Sequence, residues 1–350
     1  MQNQQTENPI LRETERKSER NSALELLRIV AVLMIIGHHY SLHGGFEFPH
    51  DTITLNRLWQ EFIFLGGQRG NDLFVIISGY FLVSSQKIKF GKLLNIIVPI
   101  AFYGVLIFVL RGASGSEGFS LRLLADTVNY WWFVRMYIVT YLIHPYLNMF
   151  LNRISREEYI SFLKAIFIYW CLIPTFTGIN FGGSPFLDFV CVYSVGGYLR
   201  LWGKDLGSPK FILYGIALML ADWLVILIID IIGLKYAVFA EHSLYFTGMM
   251  KPLTISAAIC FFLGFRKLNI PQSKIINTFA GASLGVYMLH ENRFSQKLFW
   301  GEIFHTSSFT NSPYLIPYTF AVIFAVYIIC ALIEILRQKI FRTLSRGKLS

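Results

Sequence analysis

Ionisable side chains stand inside apolar stretches of this sequence, and they are the residues best placed to do chemistry. In the first stretch, eight uninterrupted apolar residues separate Arg28 from Gly37, and His38 and His39 follow. Arg28 and His39 are eleven residues apart, so a helix places both on one face, about 16 Å apart along its axis. A neutral imidazole there is suited to taking a proton from a hydroxyl at neutral pH. The structural alternative is that Arg28 reaches lipid headgroups and the histidines cap the helix.

A second stretch contains Arg69-Gly-Asn-Asp72, followed by Ser78-Gly79. Arg69 and Asp72 are three residues apart, so they are expected either to neutralise each other or to serve a site. Ser78 belongs either to a close helix contact of the small-residue type or to that site.

A late stretch carries a polar stripe, because Ser283, Tyr287 and His290 recur at helical spacing and Glu291 follows directly. His290-Glu291 resembles the start of a zinc motif, but the second histidine of that motif is missing, so no metal is predicted. Trp132, in a Tyr-Trp-Trp-Phe run, is expected in an aromatic belt at the membrane interface.

The composition requires a membrane to position these residues. The 350 residues are 54% hydrophobic and only 15% charged, with a mean hydropathy of +0.51, whereas soluble chains carry roughly 25% charge. An ordinary soluble enzyme and a disordered chain are therefore excluded. The net charge of +10 fits basic loops facing anionic lipid headgroups rather than nucleic acid, so no nucleic-acid partner is expected.

We predict an all-α, polytopic bundle of about ten transmembrane helices. The stretches long enough to cross a bilayer lie at approximately 24–43, 58–84, 93–110, 130–148, 159–177, 186–202, 211–232, 248–265, 277–294 and 315–337. If both termini are cytoplasmic, inside segments hold 20 Lys and Arg against 5 in the opposite loops. This bias predicts that both termini lie in the cytoplasm.

A single membrane domain is predicted over 23–340. Residues 1–22 are polar and mixed in charge, and they are expected to form a cytoplasmic tail rather than a cleaved signal. Residues 341–350 are predicted as a basic cytoplasmic tail. The loops are too short for a second folding unit.

Taken in order along the chain, these residues resemble the membrane acyltransferase-3 family. Members carry an Arg and a His separated by ten residues in the first transmembrane helix, as Arg28 and His39 are. Further similar segments are Gly70-Asn-Asp72-Leu-Phe-Val-Ile-Ile-Ser78-Gly79-Tyr80-Phe81, Trp132-Phe133, Ser194-Val-Gly196-Gly197-Tyr198 and Leu284-Gly285-Val-Tyr287-Met-Leu-His290. Two arginines often precede the family's third helix, whereas this chain has Lys92 and Asn95 there, so it retains one of the two charges.

The resemblance implies transfer of an acyl group, usually acetyl, from cytoplasmic acetyl-CoA to a sugar hydroxyl. The chain looks most like the membrane-only capsule and exopolysaccharide O-acetyltransferases, and this resemblance implies a multi-pass protein of the bacterial cytoplasmic membrane. The expected partners are acyl-CoA, a capsular, exopolysaccharide or lipid-linked glycan, and membrane lipids.

On this hypothesis each predicted residue takes a role. Arg28, with Lys92 and Arg69, positions the CoA portion, and His39 is either a general base or a transient acyl acceptor. The residues expected to line or support the acceptor pocket are Asp72, Ser78, Trp132, Tyr287, His290 and Glu291. Two alternatives compete with this function: a transporter or flippase for a glycan or small anion, and a glycan polymerase or ligase.

Overall fold

The computed structural model describes residues 21–49, 51–113, 118–179 and 183–347, and these residues contain helices but no strands. Helices account for 78% of the structure. Six helical segments are long and apolar enough to cross a membrane: Ser22–His43, Phe90–Ala113, Arg156–Thr177, Phe211–Gly233, Ala237–Phe265 and Leu315–Leu344. The prediction of an all-α membrane protein is therefore confirmed for the described residues, with six candidate membrane-spanning helices.

The described residues up to Leu201 form nine α-helices. They are α1 (Ser22–His43), α2 (Leu55–Phe64), α3 (Gly66–Leu82), α4 (Phe90–Ala113), α5 (Leu121–Asn129), α6 (Trp132–Leu151), α7 (Arg156–Ile166), α8 (Ile173–Thr177) and α9 (Pro185–Leu201). A π-helical turn at Phe167–Leu172 joins α7 to α8.

Seven more α-helices lie between Phe211 and Gly347. They are α10 (Phe211–Gly233), α11 (Ala237–Ala240), α12 (Pro252–Phe265), α13 (Lys274–Ala280), α14 (Ser283–His290), α15 (Arg293–Gln296) and α16 (Leu315–Gly347). Short 3-10 turns lie at Tyr245–Thr247 and Thr306–Phe309, and a π-helical segment lies at Lys297–Ile303.

Several helix boundaries differ from the sequence prediction. The stretch predicted as one span over 58–84 divides at Leu65 into α2 and α3, and the stretch 277–294 divides at Gly281–Ala282 into α13 and α14. The predicted tail at 341–350 begins inside α16, which continues to Gly347. The predicted tail at 1–22 lies outside the described residues, apart from Asn21 and Ser22.

The core forms where α3 packs against α1, α9 and α12. Two glycines permit this contact with α9, because a Cβ atom at Gly79 would overlap the backbone of Tyr193, and one at Gly196 would overlap the backbone of Ile76. Helices can approach this closely only where side chains are absent.

Buried ion pairs tie α10 to the core. Arg69 of α3 pairs with Asp222, and both side chains are fully buried. Arg57 of α2 lies 2.5 Å from Asp230. Arg69 therefore takes its direct carboxylate partner from α10, and the direct pairing of Arg69 with Asp72 within α3, which the spacing allowed, is not observed.

The two ends of the bundle differ in charge. We call the end where α1 begins the basic end; the α3–α4 loop and the last turn of α6 lie there, joined through Asn148 and Asn152. We call the end where α1 finishes the far end, where Thr306 donates to the carbonyl of Gly44. Lys87, Lys89, Lys92 and Arg153 all lie at the basic end.

Candidate functional site

Two histidines and a carboxylate from distant parts of the chain meet in the far half of the bundle. His39 is in the penultimate turn of α1, and His290 is the last residue of α14. His39 Nδ1 lies 2.9 Å from His290 Nε2 and 3.0 Å from Glu291 Oε2. Exposure is 8% for His39, 0% for His290 and 7% for Glu291, so the cluster is shielded from bulk solvent.

The hydrogen bonds determine which ring nitrogens carry protons. His290 Nδ1 lies 2.6 Å from the Val286 carbonyl oxygen, which can only accept, so His290 carries its proton on Nδ1. In neutral His290, Nε2 is then an acceptor, and His39 donates to it from Nδ1. His39 Nε2 therefore keeps a free lone pair, the feature that a general base or a nucleophile requires.

Glu291 adds negative charge to this arrangement. Its Oε2 is close to His39 Nδ1 but has no hydrogen bond of its own in the described structure, because the Nδ1–H points to His290. Its Oε1 lies 3.6 Å from Nε2 of His43, one turn further along α1. A carboxylate at this distance can stabilise a protonated His39 imidazole.

His38 is engaged differently from its neighbour. Its Nδ1 lies 2.8 Å from the carbonyl oxygen of Phe64, at the end of α2. A Cβ atom at Gly67 would overlap the His38 ring, so the glycine lets the first turn of α3 pack on α1 at this point. His38 thus links α1 to the junction between α2 and α3.

The same cluster offers ligand atoms for a metal ion. One atom each from His39, His290 and Glu291 lies within 4.8 Å of the other two, and imidazole with carboxylate is a donor set that divalent transition metals accept. His39 Nδ1 and His290 Nε2 are at hydrogen-bond distance and share one proton. The sequence prediction of no metal stays a prediction.

A basic cavity lies at the other end of α1. Its volume is about 220 Å³, and it is lined by Arg28, Ser78, Phe81, Leu82, Lys92, Asn95, Ile96, Tyr137 and Tyr141. Arg28 is half-buried and lies 3.2 Å from Glu25, while Lys92 takes part in no described ion pair. The structure therefore brings Arg28, Lys92 and Ser78 together around one cavity.

The remaining predicted residues occupy separate places. Tyr287 stands beside the histidines, with its ring centroid 6.4 Å from that of His39, and its hydroxyl is buried. The ring centroid of Phe133 lies 5.9 Å from that of Trp132 and 5.9 Å from that of Tyr287. Asp72 is fully buried, and neither of its carboxylate oxygens has a hydrogen-bond partner within the described ranges.

Sequence reasoning missed several charged groups. Glu334 accepts from Arg337 Nε at 2.7 Å and from the Tyr103 hydroxyl at 2.6 Å. Asp222 and Asp230 hold the arginines of α2 and α3. All three acids lie inside apolar stretches, so the rule that singled out Arg28 would have found them.

Comparison with known protein families identifies an acyltransferase domain. The acyltransferase-3 family model, an acyltransferase domain, matches residues 21–334. No curated protein and no solved structure matches the chain. The matched range includes the histidine cluster and the basic cavity.

Proposed function

Since the chain belongs to the acyltransferase-3 family, we propose that this membrane acyltransferase moves an acyl group, most simply acetyl, from acyl-CoA to a sugar hydroxyl. The acceptor is a capsular, exopolysaccharide or lipid-linked glycan. The observation that carries the proposal is the lone pair of His39 Nε2, held by the hydrogen bonds of a buried His-His-Glu cluster.

The basic cavity supports an anionic donor. Arg28 and Lys92 face it from α1 and α4, and Tyr137, Tyr141 and Ser78 add hydrogen-bonding groups. Coenzyme A is strongly anionic, and the ammonium group of Lys92 takes part in no described ion pair, so it is available to such a ligand. Arg28 and His39 lie about 16 Å apart on α1, so the donor's flexible arm spans this distance to bring its thioester to the imidazole.

His39 then moves one proton in each half of the reaction. The acceptor hydroxyl gives its proton to Nε2, and its oxygen forms a bond to the thioester carbonyl carbon. The carbon–sulfur bond breaks, and the departing sulfur takes the proton to become the free thiol. Glu291 stabilises the imidazolium between these steps. In the covalent alternative, Nε2 itself holds the acyl group before the acceptor attacks.

The proposal includes an orientation in the bacterial cytoplasmic membrane. The more polar or shorter segments α3, α6, α9 and α13–α14 complete ten crossings with the six apolar ones, and both termini face the cytoplasm. The basic end then meets cytoplasmic acyl-CoA and anionic lipid headgroups. The histidine cluster lies toward the side where exported glycans are found.

The test uses membranes that contain the full chain, acetyl-CoA labelled in its acetyl group, and the host glycan. Wild type should label glycans or glycolipids, and His39→Ala should lower the rate at least about 100-fold, as loss of a general base does. His242→Ala is the matched control, because His242 is an exposed histidine outside the cluster.

The outcomes separate the possible functions. Labelling by wild type and by the His242 variant, but not by the His39 variant, supports the proposal. Labelling by the His39 variant at the wild-type rate would remove His39 from the mechanism. If the folded wild type labels nothing with any acyl-CoA tested, the acyl-CoA reaction is wrong and a transporter becomes the better hypothesis.

A further inference from the structure

We propose that a second cavity at the basic end binds the adenine nucleotide head of the acyl-CoA donor, and this inference rests on the proposed function. The cavity has a volume of about 670 Å³ and lies between the α3–α4 loop and the end of α6. The lining side chains that matter are Gln86 and Lys87 from the loop, and Tyr146, Met149, Asn152 and Arg153 from the α6 side.

Two cations face this cavity from opposite sides. Lys87 and Arg153 are both exposed, and in the described part of the chain neither has a carboxylate within ion-pair distance. Arginine binds phosphate through two parallel hydrogen bonds, and lysine adds a mobile point charge. The pair is therefore suited to the phosphates of a nucleotide.

The other lining groups favour a nucleotide over a simple phosphate or a lipid headgroup. The Tyr146 side chain is 71% exposed and lies beside Met149, so its ring is open to stack on a base. The Nδ2 group of Asn152 already donates to Val83 and Asn148, which leaves its Oδ1 to accept from an exocyclic amine. Gln86 offers a second amide.

The cavity wall is held in place by hydrogen bonds. Asn148 is fully buried, and its Nδ2 donates to the carbonyls of Leu82 and Ser85 at 2.6 and 2.7 Å. The Tyr141 hydroxyl accepts from the amide of Lys89 and donates to its carbonyl, both at 3.2 Å. The loop that carries Lys87 is thus fixed to α6 before a ligand arrives.

The two cavities lie one helical turn apart along α6, because Tyr141 lines the smaller cavity and Pro145 lines the larger one. Tyr141 lines the smaller cavity that contains Arg28, and its partner Lys89 lies in the chain between Lys87 of the larger cavity and Lys92 of the smaller one. A head bound between Lys87 and Arg153 therefore directs its arm past Tyr141 toward Arg28 and on to His39.

The experiment measures binding to the full-length protein purified in a neutral detergent. The probes are coenzyme A and adenosine 3′,5′-bisphosphate, which carries the head alone. Wild type is compared with Lys87→Gln/Arg153→Gln and with Tyr146→Ala. The matched control is Lys204→Gln/Lys339→Gln, which removes two exposed cations from the same end. Transfer from acetyl-CoA and from acetyl-pantetheine, which lacks the nucleotide, is measured in parallel.

We expect the Lys87/Arg153 variant to lose at least about tenfold in affinity for both probes, since it lacks two charge-assisted contacts. The control should bind as wild type does, and transfer from acetyl-pantetheine should be equal in all proteins. Equal binding of coenzyme A by every variant would overturn the head site while leaving the proposed function intact. If the wild type binds both probes through Lys87 and Arg153 but transfers no acyl group, the head site is retained and the proposed function is refuted.

The alternative ligand, the phosphate of a lipid headgroup, is tested with the same proteins. If the wild type binds neither nucleotide probe, and phosphatidylglycerol vesicles bind through Lys87 and Arg153, the cavity is a headgroup site and the proposal is wrong. If nucleotide binding persists in the presence of these vesicles, the proposal stands.

Discussion

At the scale of single residues, the position of one proton decides what His39 can do. The Val286 carbonyl fixes the proton of His290 on Nδ1, and His290 in turn holds that of His39 on Nδ1. The reactive lone pair thus depends on a residue 251 positions away in the chain. Neither histidine alone defines the base.

Glu291→Gln should lower the rate of acyl transfer about 100-fold, because the amide keeps the size of the side chain but does not stabilise the imidazolium. The donor KM should stay unchanged, since Glu291 lies away from the basic cavity. Steady-state kinetics in membranes measure both parameters. An unchanged rate would show that the carboxylate is not used, and Glu291→Asp should recover part of the lost activity.

Arg69→Met should destabilise the protein by about 3–5 kcal/mol, because it leaves the carboxylate of Asp222 buried without its partner. The double variant Arg69→Met/Asp222→Leu should recover most of that loss. Thermal unfolding of the purified proteins in detergent measures the difference. Normal stability of Arg69→Met together with weakened acyl-CoA binding would favour the predicted donor role of Arg69 over the structural one.

At the scale of helices, the close contact between α1 and α3 sets the position of the histidines. Gly67→Ala should reduce acyl transfer at least about tenfold, because its methyl group would displace His38 and with it the last turns of α1. Gly91→Ala is the control: a Cβ atom there has open space, and alanine favours a helix. Equal activity of both variants would show that α1 tolerates the shift.

Helix breaks were the least predictable feature of the fold. The apolar stretches at Ser22–His43, Phe90–Ala113 and Phe211–Gly233 follow directly from hydropathy. The division at Leu65 does not, because its causes are contacts with other helices: Gly66 packs against the backbone of Met34 and His38 bonds to Phe64. Hydropathy averages over a window and does not detect such contacts.

At the scale of the whole molecule, both ends of the first helix proved informative. The spacing of Arg28 and His39 predicted that both residues lie on one face of the helix. The structure places a basic cavity at Arg28 and a shielded cluster at His39. The sequence showed His39 and His290 only as polar residues of two separate helices. Their pairing could not be predicted, because it depends on which helices are neighbours. The cavity at Lys87 and Arg153 was not predicted, since neither residue lies in an apolar stretch.

The orientation of the bundle can be measured with reporters. A fluorescent reporter placed after residue 350 should be active and a periplasmic phosphatase there inactive, because the excess of Lys and Arg at the basic end predicts that both termini lie in the cytoplasm. Insertion of the same reporters beside Lys235, in the loop that follows α10, should give the opposite result. Matching results at the two positions would contradict the proposed topology.

The ion pairs of α10 also constrain how the protein is made. Arg69 is synthesised 153 residues before Asp222, and Arg57 precedes Asp230 by 173 residues. At about 5–20 residues per second, Arg69 waits roughly 8–30 s for its partner. During that time an unpaired guanidinium inside a bilayer is costly, so we expect the early helices to leave the insertion machinery only after α10 has emerged. A nascent chain that stops before α10 therefore leaves Arg69 without the carboxylate of Asp222.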